Sequence, residues 1–286
     1  MNKRKNIKRS LLKFGFLVPA IFFFGVSMLI PFLLGIQVSF TSWDGISQKM
    51  NYIGLQNYAN IFSNSDILQP MKNTIYFAIL ITIFNNAVAL GLALILNKKF
   101  KGNSKFRLIY FIPTCLSTVL ACFVWKFLYR EVFYQVFGIN SLIGNMKTVI
   151  PALVIISLWN GVAINMLIYL SALINVPKNL YEAAKVDGAN VFQRFRNVTV
   201  PLIGPAFTTC VTLSLTYGLR EFSVPMIATG GGPARSSETI AMYIYKHLFE
   251  YSKAGYGQAI SIVFMVFLLI IGKTVSTIFR KREVEM

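Results

Sequence analysis

The chain predicts an all-α integral membrane protein with six transmembrane helices, and three observations predict it. First, of 286 residues 55% are hydrophobic and the mean hydropathy is +0.60, too apolar for a water-soluble domain of this size. Second, six stretches lack Asp, Glu, Lys and Arg: 14–43, 73–97, 108–125, 148–177, 197–219 and 254–272. They run for 30, 25, 18, 30, 23 and 19 residues, and crossing hydrocarbon takes about 20 largely apolar residues. Third, each run is continuous rather than alternating. Lipid offers the backbone no hydrogen-bond partners, so such runs must be helices, since barrel strands are short and alternate.

The elements follow in chain order. Residues 1–13 form a basic tail with Lys3, Arg4, Lys5, Lys8, Arg9 and Lys13. The apolar run behind it is far longer than the roughly 7–15 residues of a signal-peptide core, and no A-x-A cleavage pattern follows. It is therefore read as an uncleaved first span. Five further spans bring the membrane domain to 14–279, leaving a short tail at 280–286. Placing both termini in the cytoplasm puts 1–13, 98–107, 178–196 and 280–286 inside, where they hold 6, 5, 4 and 3 Lys or Arg, 18 of the 28. The outer loops, about 44–72, 126–147 and 220–253, are longer yet hold most of the remaining 10. That asymmetry is the one the positive-inside rule expects. A net charge of +18 would suggest nucleic acid in a soluble protein. Here topology and anionic lipid account for it, and no nucleic-acid partner is expected.

Catalytic motifs are sought and not found. His247 has no Cys or second His beside it, so neither a metal site nor a Ser/His triad assembles around it. Gly272-Lys273-Thr274 resembles the end of a phosphate-binding loop, but Phe267 stands where that motif needs glycine. Cys115, Cys122 and Cys210 all fall inside spans and read as small buried apolar residues. No cofactor or metal is expected on this chain.

One loop concentrates polar residues between two apolar spans: YEAAKVDGANVFQRFRNVTVPLIGP, from Tyr181 to Pro205. Pro177 suits a first helical turn, and Leu180, Glu182, Ala183, Ala184 and Lys185 favour helix. Asp187-Gly188 breaks it, glycine taking the left-handed backbone that ends helices. Asn190 caps a second helix with Gln193 at its third position, and Pro201 stops that helix. Ala183 and Ala184 present a low surface able to enter a groove, flanked by the acids Glu182 and Asp187. From the residues alone, a docking surface and an ordinary solvated loop both remain open.

Glu182-Ala183-Ala184, Gly188, Val198, Val200 and Pro201 resemble the EAA signature of permease subunits of binding-protein-dependent ABC importers. Val200 stands where that pattern has leucine; Asp187 and Ala189 match common usage. Further stretches are similar to carbohydrate permeases of the maltose and glycerol-phosphate type. They include Ser39-Phe40-Thr41, Trp43-Asp44-Gly45, Gly54-Leu55-Gln56-Asn57-Tyr58 and Thr229-Gly230-Gly231-Gly232-Pro233. The last marks likeness to the maltose system's first subunit, without its large extra periplasmic domain, and reads equally as a tight outer turn. The resemblance implies the transmembrane domain of a type I ABC importer, multi-pass in the plasma membrane of a bacterium. It implies a second permease subunit, two copies of a cytoplasmic ATPase that uses ATP and Mg, and an extracytoplasmic solute-binding protein. It implies that loop 178–200 couples the chain to the ATPase through Glu182, Ala183, Ala184, Asp187, Gly188, Ala189 and Pro201.

Polar groups inside spans are costly and usually face an interior or a cavity. Asn85, Trp159, Asn160, Asn165, Tyr217 and Glu221 are the candidate substrate pathway, since amides, hydroxyls and a stacking aromatic suit a sugar. The competing reading is that they join helices by hydrogen bonds. On the helix, Trp159 aligns with Val162 and Met166, and Asn160 less closely with Tyr169. Arg220 and Glu221 are candidates for a latch near the outer end. A gradient-driven secondary transporter or channel is the alternative function. That class usually needs an intramembrane carboxylate or an ion site at broken helices, and the six charge-free runs contain no acid.

Overall fold

The computed structural model describes residues 15–98, 101–138 and 141–281, so the expected tail at 1–13 and all but the first two residues of the one at 280–286 lie outside the described residues. The described chain is helical, with one isolated antiparallel bridge between Thr41 and Tyr52. Helix α1 is Gly15–Ser39 and α2 is Gln56–Ser63; α3 is Ser65–Leu96, α4 Asn103–Cys115 and α5 Thr118–Phe137. Then come α6 (Val149–Asn175), α7 (Lys178–Val186), α8 (Val191–Leu202) and α9 (Gly204–Leu219). Three more close the chain: α10 (Ser223–Thr229), α11 (Ile240–Phe249) and α12 (Ala254–Arg280).

Four helices, α1, α3, α6 and α12, are long and apolar enough to cross a membrane singly. Two bent pairs, α4 with α5 at 99° and α8 with α9 at 72°, bring the number to the expected six if each pair is one span. The third span is therefore not the continuous run expected at 108–125. Pro113 lies in a 3-10 turn, Ile112–Cys115, and Leu116 is extended. The Ser117 side chain then caps α5 by accepting from the Leu120 N–H at 3.3 Å. Cys115, expected buried, is exposed at this bend, whereas Cys122 and Cys210 are buried.

The chain divides into two compact units, one running to Asn64 with Ile244–Val263, the other being Ser65–Tyr243 with the chain from Phe264. In the first, α1 carries a widened π turn at Gly25–Leu29, and most of its apolar side chains lie exposed, Phe16, Phe22 and Phe23 by more than half. Behind it, the Asn57 amide donates to the carbonyls of Ser39 and Thr41, both at 2.8 Å. The Ser39 and Tyr58 hydroxyls meet at 2.7 Å. Two separated sequence motifs thus hold each other. His247 lies in α11, buried against the rings of Tyr251 and Tyr256.

The second unit has two apolar clusters. One gathers Phe77, Ile81, Tyr129, Leu153, Ile156 and Val224 from α3, α5, α6 and α10. The other gathers Ala89, Ala93, Leu96, Met166, Tyr169, Leu173 and Cys210 from α3, α6 and α9. In lipid no hydrophobic drive separates helix from surroundings, so association depends on close packing of small residues and on hydrogen bonds. Gly218 on α9 shows how close: a Cβ there would stand 2.7 Å from Ala78 Cα and 2.6 Å from Ile81 Cγ2 on α3.

Candidate functional site

Between α6 and α9 the chain makes two short helices. Pro177 is the residue before α7 and is extended (φ −61°, ψ 130°), one position earlier than its expected place in the first turn. Its fixed φ serves the cap as well as the turn. In α7, Tyr181 and Ala184 are half-buried, whereas Glu182, Ala183, Lys185 and Val186 are exposed. The helix ends as its residues predict. Gly188 has φ +77°, and the Ala189 N–H reaches back to the Ala184 carbonyl at 2.9 Å. That left-handed position is one that an L side chain with a Cβ occupies only under strain. Asp187 and Gly188 are exposed, and Ala189 is half-buried.

Asn190 then opens α8 with a full capping box. Its side chain accepts the Gln193 N–H at 2.9 Å, and the Gln193 side chain accepts the Asn190 N–H at 2.8 Å. Pro201 does not stop α8. A π turn at Phe195–Thr199 precedes it and the helix runs on to Leu202. Pro201 falls at the start of the turn after that bulge, where its missing N–H leaves no bond unmade. The break falls instead between Leu202 and Gly204.

The candidate pathway residues divide. Asn165 donates to Ser214 Oγ at 2.8 Å, with Asn85 at 3.1 Å and Asn86 at 3.3 Å on the same oxygen. Tyr169 donates to Asn86 Oδ1 at 2.7 Å. These buried groups join α3, α6 and α9. Asn160 instead donates to two carbonyls at the bend after α4, that of Pro113 (2.8 Å), which also accepts the Leu116 N–H at 3.1 Å, and that of Leu116 (3.3 Å). Trp159 parts from Val162 and Met166, packing with the cluster around Phe77, Tyr129 and Leu153 beside Trp125, ring centroids 6.0 Å apart. Tyr217 is 43% exposed, its hydroxyl beside Glu221 and Ser157.

Glu221 is buried and accepts the Val224 N–H at 2.8 Å, which starts α10; exposed Arg220 donates to the Thr216 carbonyl at 3.2 Å. Ion pairs join Arg130 to Glu131 and Arg235 to Glu238; Arg220 and Glu221, expected to form a latch, are in neither. By contrast, Thr209, Leu213 and Tyr217 on α9, with Arg220 just past its end, lie exposed along a single helix face. A cavity of about 290 Å³ lies at its start, lined by Thr208, Thr209, Thr212, Ser276 and Arg280 among others. Thr209 was not among the sequence candidates; its spacing from Leu213 and Arg220 was the signal that places it on this face.

The loop Gly230–Pro233 is a turn held by its neighbours. Gly230 and Gly231 have φ +61° and +91°, and the Ser237 hydroxyl donates to the Gly232 carbonyl at 2.7 Å. The Asn73 amide, at the start of α3, donates to the carbonyls of Arg235 (2.9 Å) and Glu238 (3.0 Å). Among the described residues no group of three His, Cys, Asp or Glu could hold a metal ion.

The fold defines a multi-pass helical membrane protein with a polar two-helix loop and two bent helix pairs. The chain belongs to the family of binding-protein-dependent transport system inner membrane components, whose model matches residues 87–283. It is 30% identical over 290 residues to the probable starch degradation products transport system permease protein AmyD of Thermoanaerobacterium thermosulfurigenes, covering 99% of each chain. It is 27% identical to the multiple sugar-binding transport system permease protein MsmF of Streptococcus mutans, over 89% of this chain and 90% of that one. Its fold matches a chain of a bacterial ABC transporter involved in import of the acidic polysaccharide alginate. That match has TM-score 0.84 and 22% identity, over 98% and 99% of the two chains. The type I importer fold is therefore this chain's fold, and the protein is a multi-pass cell-membrane permease rather than an enzyme.

Proposed function

We propose that this chain is a permease subunit of an ABC importer for an oligosaccharide, driven by a separate ATPase that grips loop 178–200. The observation that carries the coupling role is α7, a nine-residue helix exposed on the face that bears Glu182 and Ala183. Glu182 is its acid, Asp187 follows directly after it, and the turn at Gly188 fixes where it ends. Relatives named for starch degradation products and for multiple sugars support the substrate class. The cation asymmetry of the loops supports cytoplasmic termini and a cytoplasmic α7.

The partners that fit this reading are a second permease subunit, two copies of the ATPase, which would bind ATP and Mg, and an extracytoplasmic binding protein. This chain would hold no cofactor itself. For the pathway, the geometry favours the uncovered face of α9, with Tyr217 and Thr209, together with half-buried Trp159; Glu221 is buried and accepts the Val224 N–H. The amides of Asn85, Asn160 and Asn165 serve neighbouring helices and make weaker candidates.

The test is uptake by the assembled importer in proteoliposomes, with labelled oligosaccharides presented by its binding protein. Uptake should require ATP and survive an ionophore that collapses ion gradients. Uptake driven by a gradient without ATP would establish the secondary-transporter reading instead. Glu182→Lys should leave the chain inserted while releasing the ATPase on purification; undiminished ATPase retention and uptake would remove the coupling role.

A further inference from the structure

The loop between α6 and α9 contains a contact that the docking role leaves unused. Tyr181 stands directly before Glu182, on the sheltered side of α7, and its ring packs against the cluster around Met166 and Leu173. Its hydroxyl lies 2.9 Å from Thr199 Oγ1. Thr199 is 4% exposed and is the last residue of the π turn in α8; its carbonyl accepts the Ile203 N–H at 3.0 Å, at the bend into α9.

Helices α7 and α8 are joined in sequence only by Asp187-Gly188-Ala189-Asn190. A single glycine-containing turn is a pivot, because rotation about its φ and ψ meets little resistance. A force applied to α7 would then be lost in bending at Gly188. A second attachment, away from the turn, removes that freedom and makes the two helices one lever.

We infer that the Tyr181–Thr199 hydrogen bond is that second attachment. It makes α7 and α8 move together, so that displacement of α7 reaches the bend at Ile203 and turns α9. This rests on the coupling role proposed for α7. Tyr181 and Thr199 are positioning residues: neither needs to touch the ATPase or the solute. The ring packing of Tyr181 places the hydroxyl, and burial of Thr199 excludes the water that would compete for it.

The experiment compares Tyr181→Phe, Thr199→Val, the double variant and Thr199→Ser in the complete importer, reading sugar imported per ATP hydrolysed. Phe keeps the ring, Val keeps the shape, and Ser keeps the hydroxyl. Each single variant should lower the ratio roughly fivefold, the worth of one net hydrogen bond. Bound ATPase and melting temperature should barely change. The double variant should be no worse than either single one, and Thr199→Ser should transport at close to the normal ratio. Unchanged ratios in both single variants, or additive losses in the double one, would overturn the strut. Glu182→Lys separates the two ideas. If it dislodges the ATPase while Tyr181→Phe changes nothing, the strut alone falls. If it changes nothing, the coupling role falls and the strut with it.

Discussion

Tyr169 on α6 donates its hydroxyl to Asn86 Oδ1 on α3 at 2.7 Å, both side chains being buried. Asn86 in turn donates to the Thr82 carbonyl at 2.7 Å and to Ser214 Oγ on α9 at 3.3 Å. Three helices are thus joined at a point where apolar packing alone would leave rotation free. Asn86→Ala leaves the Tyr169 hydroxyl buried without its partner, at about 1–3 kcal/mol. Tyr169→Phe with Asn86→Leu should recover much of that loss, because neither residue then strands a polar group. Melting of the purified importer in detergent checks both, and a coupling energy near zero would contradict the join.

Gly188 has φ +77° with nothing within 4 Å of where a Cβ would sit. Any effect of substitution is therefore backbone strain rather than collision. Gly188→Val should distort the end of α7 by about 1–2 kcal/mol and abolish uptake while the protein remains inserted. Gly188→Asn, which tolerates the left-handed region, should retain most uptake. Normal transport by the Val variant would show that the turn's shape is irrelevant to coupling.

Two glycines in spans give a contrast. Gly218 faces Ala78 and Ile81 at less than 3 Å from an added Cβ, whereas Gly161 has nothing within 4 Å. Gly218→Ala should force α9 from α3 and cost about 1–3 kcal/mol. Gly161→Ala should be neutral or slightly stabilising, since alanine is the better helix former. Equal melting temperatures for the two variants would refute the close approach.

Trp159 is half-buried, its ring edge-to-face with Trp125. Such a pair contributes about 0.5–1.5 kcal/mol beyond its buried area. Trp159→Ala should lower uptake by more than its melting loss explains, and Trp159→Phe should transport better than Ala. If uptake merely tracks stability across both variants, Trp159 is packing only.

How much of this was legible can be followed residue by residue. The capping box at Asn190 and Gln193 and the left-handed turn at Gly188 were readable because each depends on side chains three or fewer positions apart. Six apolar runs were readable because lipid imposes a length on any helix that crosses it. Pro201 was misplaced because the π turn before it changes which N–H groups need partners, and no local rule announces that turn. The bend at Leu116 was missed because its carbonyl is satisfied by Asn160, 44 residues away.

Composition and charge placement, then, were sufficient to specify a membrane bundle, its approximate spans and the polar two-helix loop between two of them. Those properties follow from transfer between water and lipid, which acts on each segment separately. Which amides bind neighbouring helices, and which face of α9 stays uncovered, was settled only when the segments packed. Asn85 and Asn165 look like open polar groups in isolation, yet one hydroxyl on Ser214 gathers them both. A hydrogen bond needs its partner within about 3 Å, and only the assembled bundle brings residues 129 and 49 positions apart to that distance.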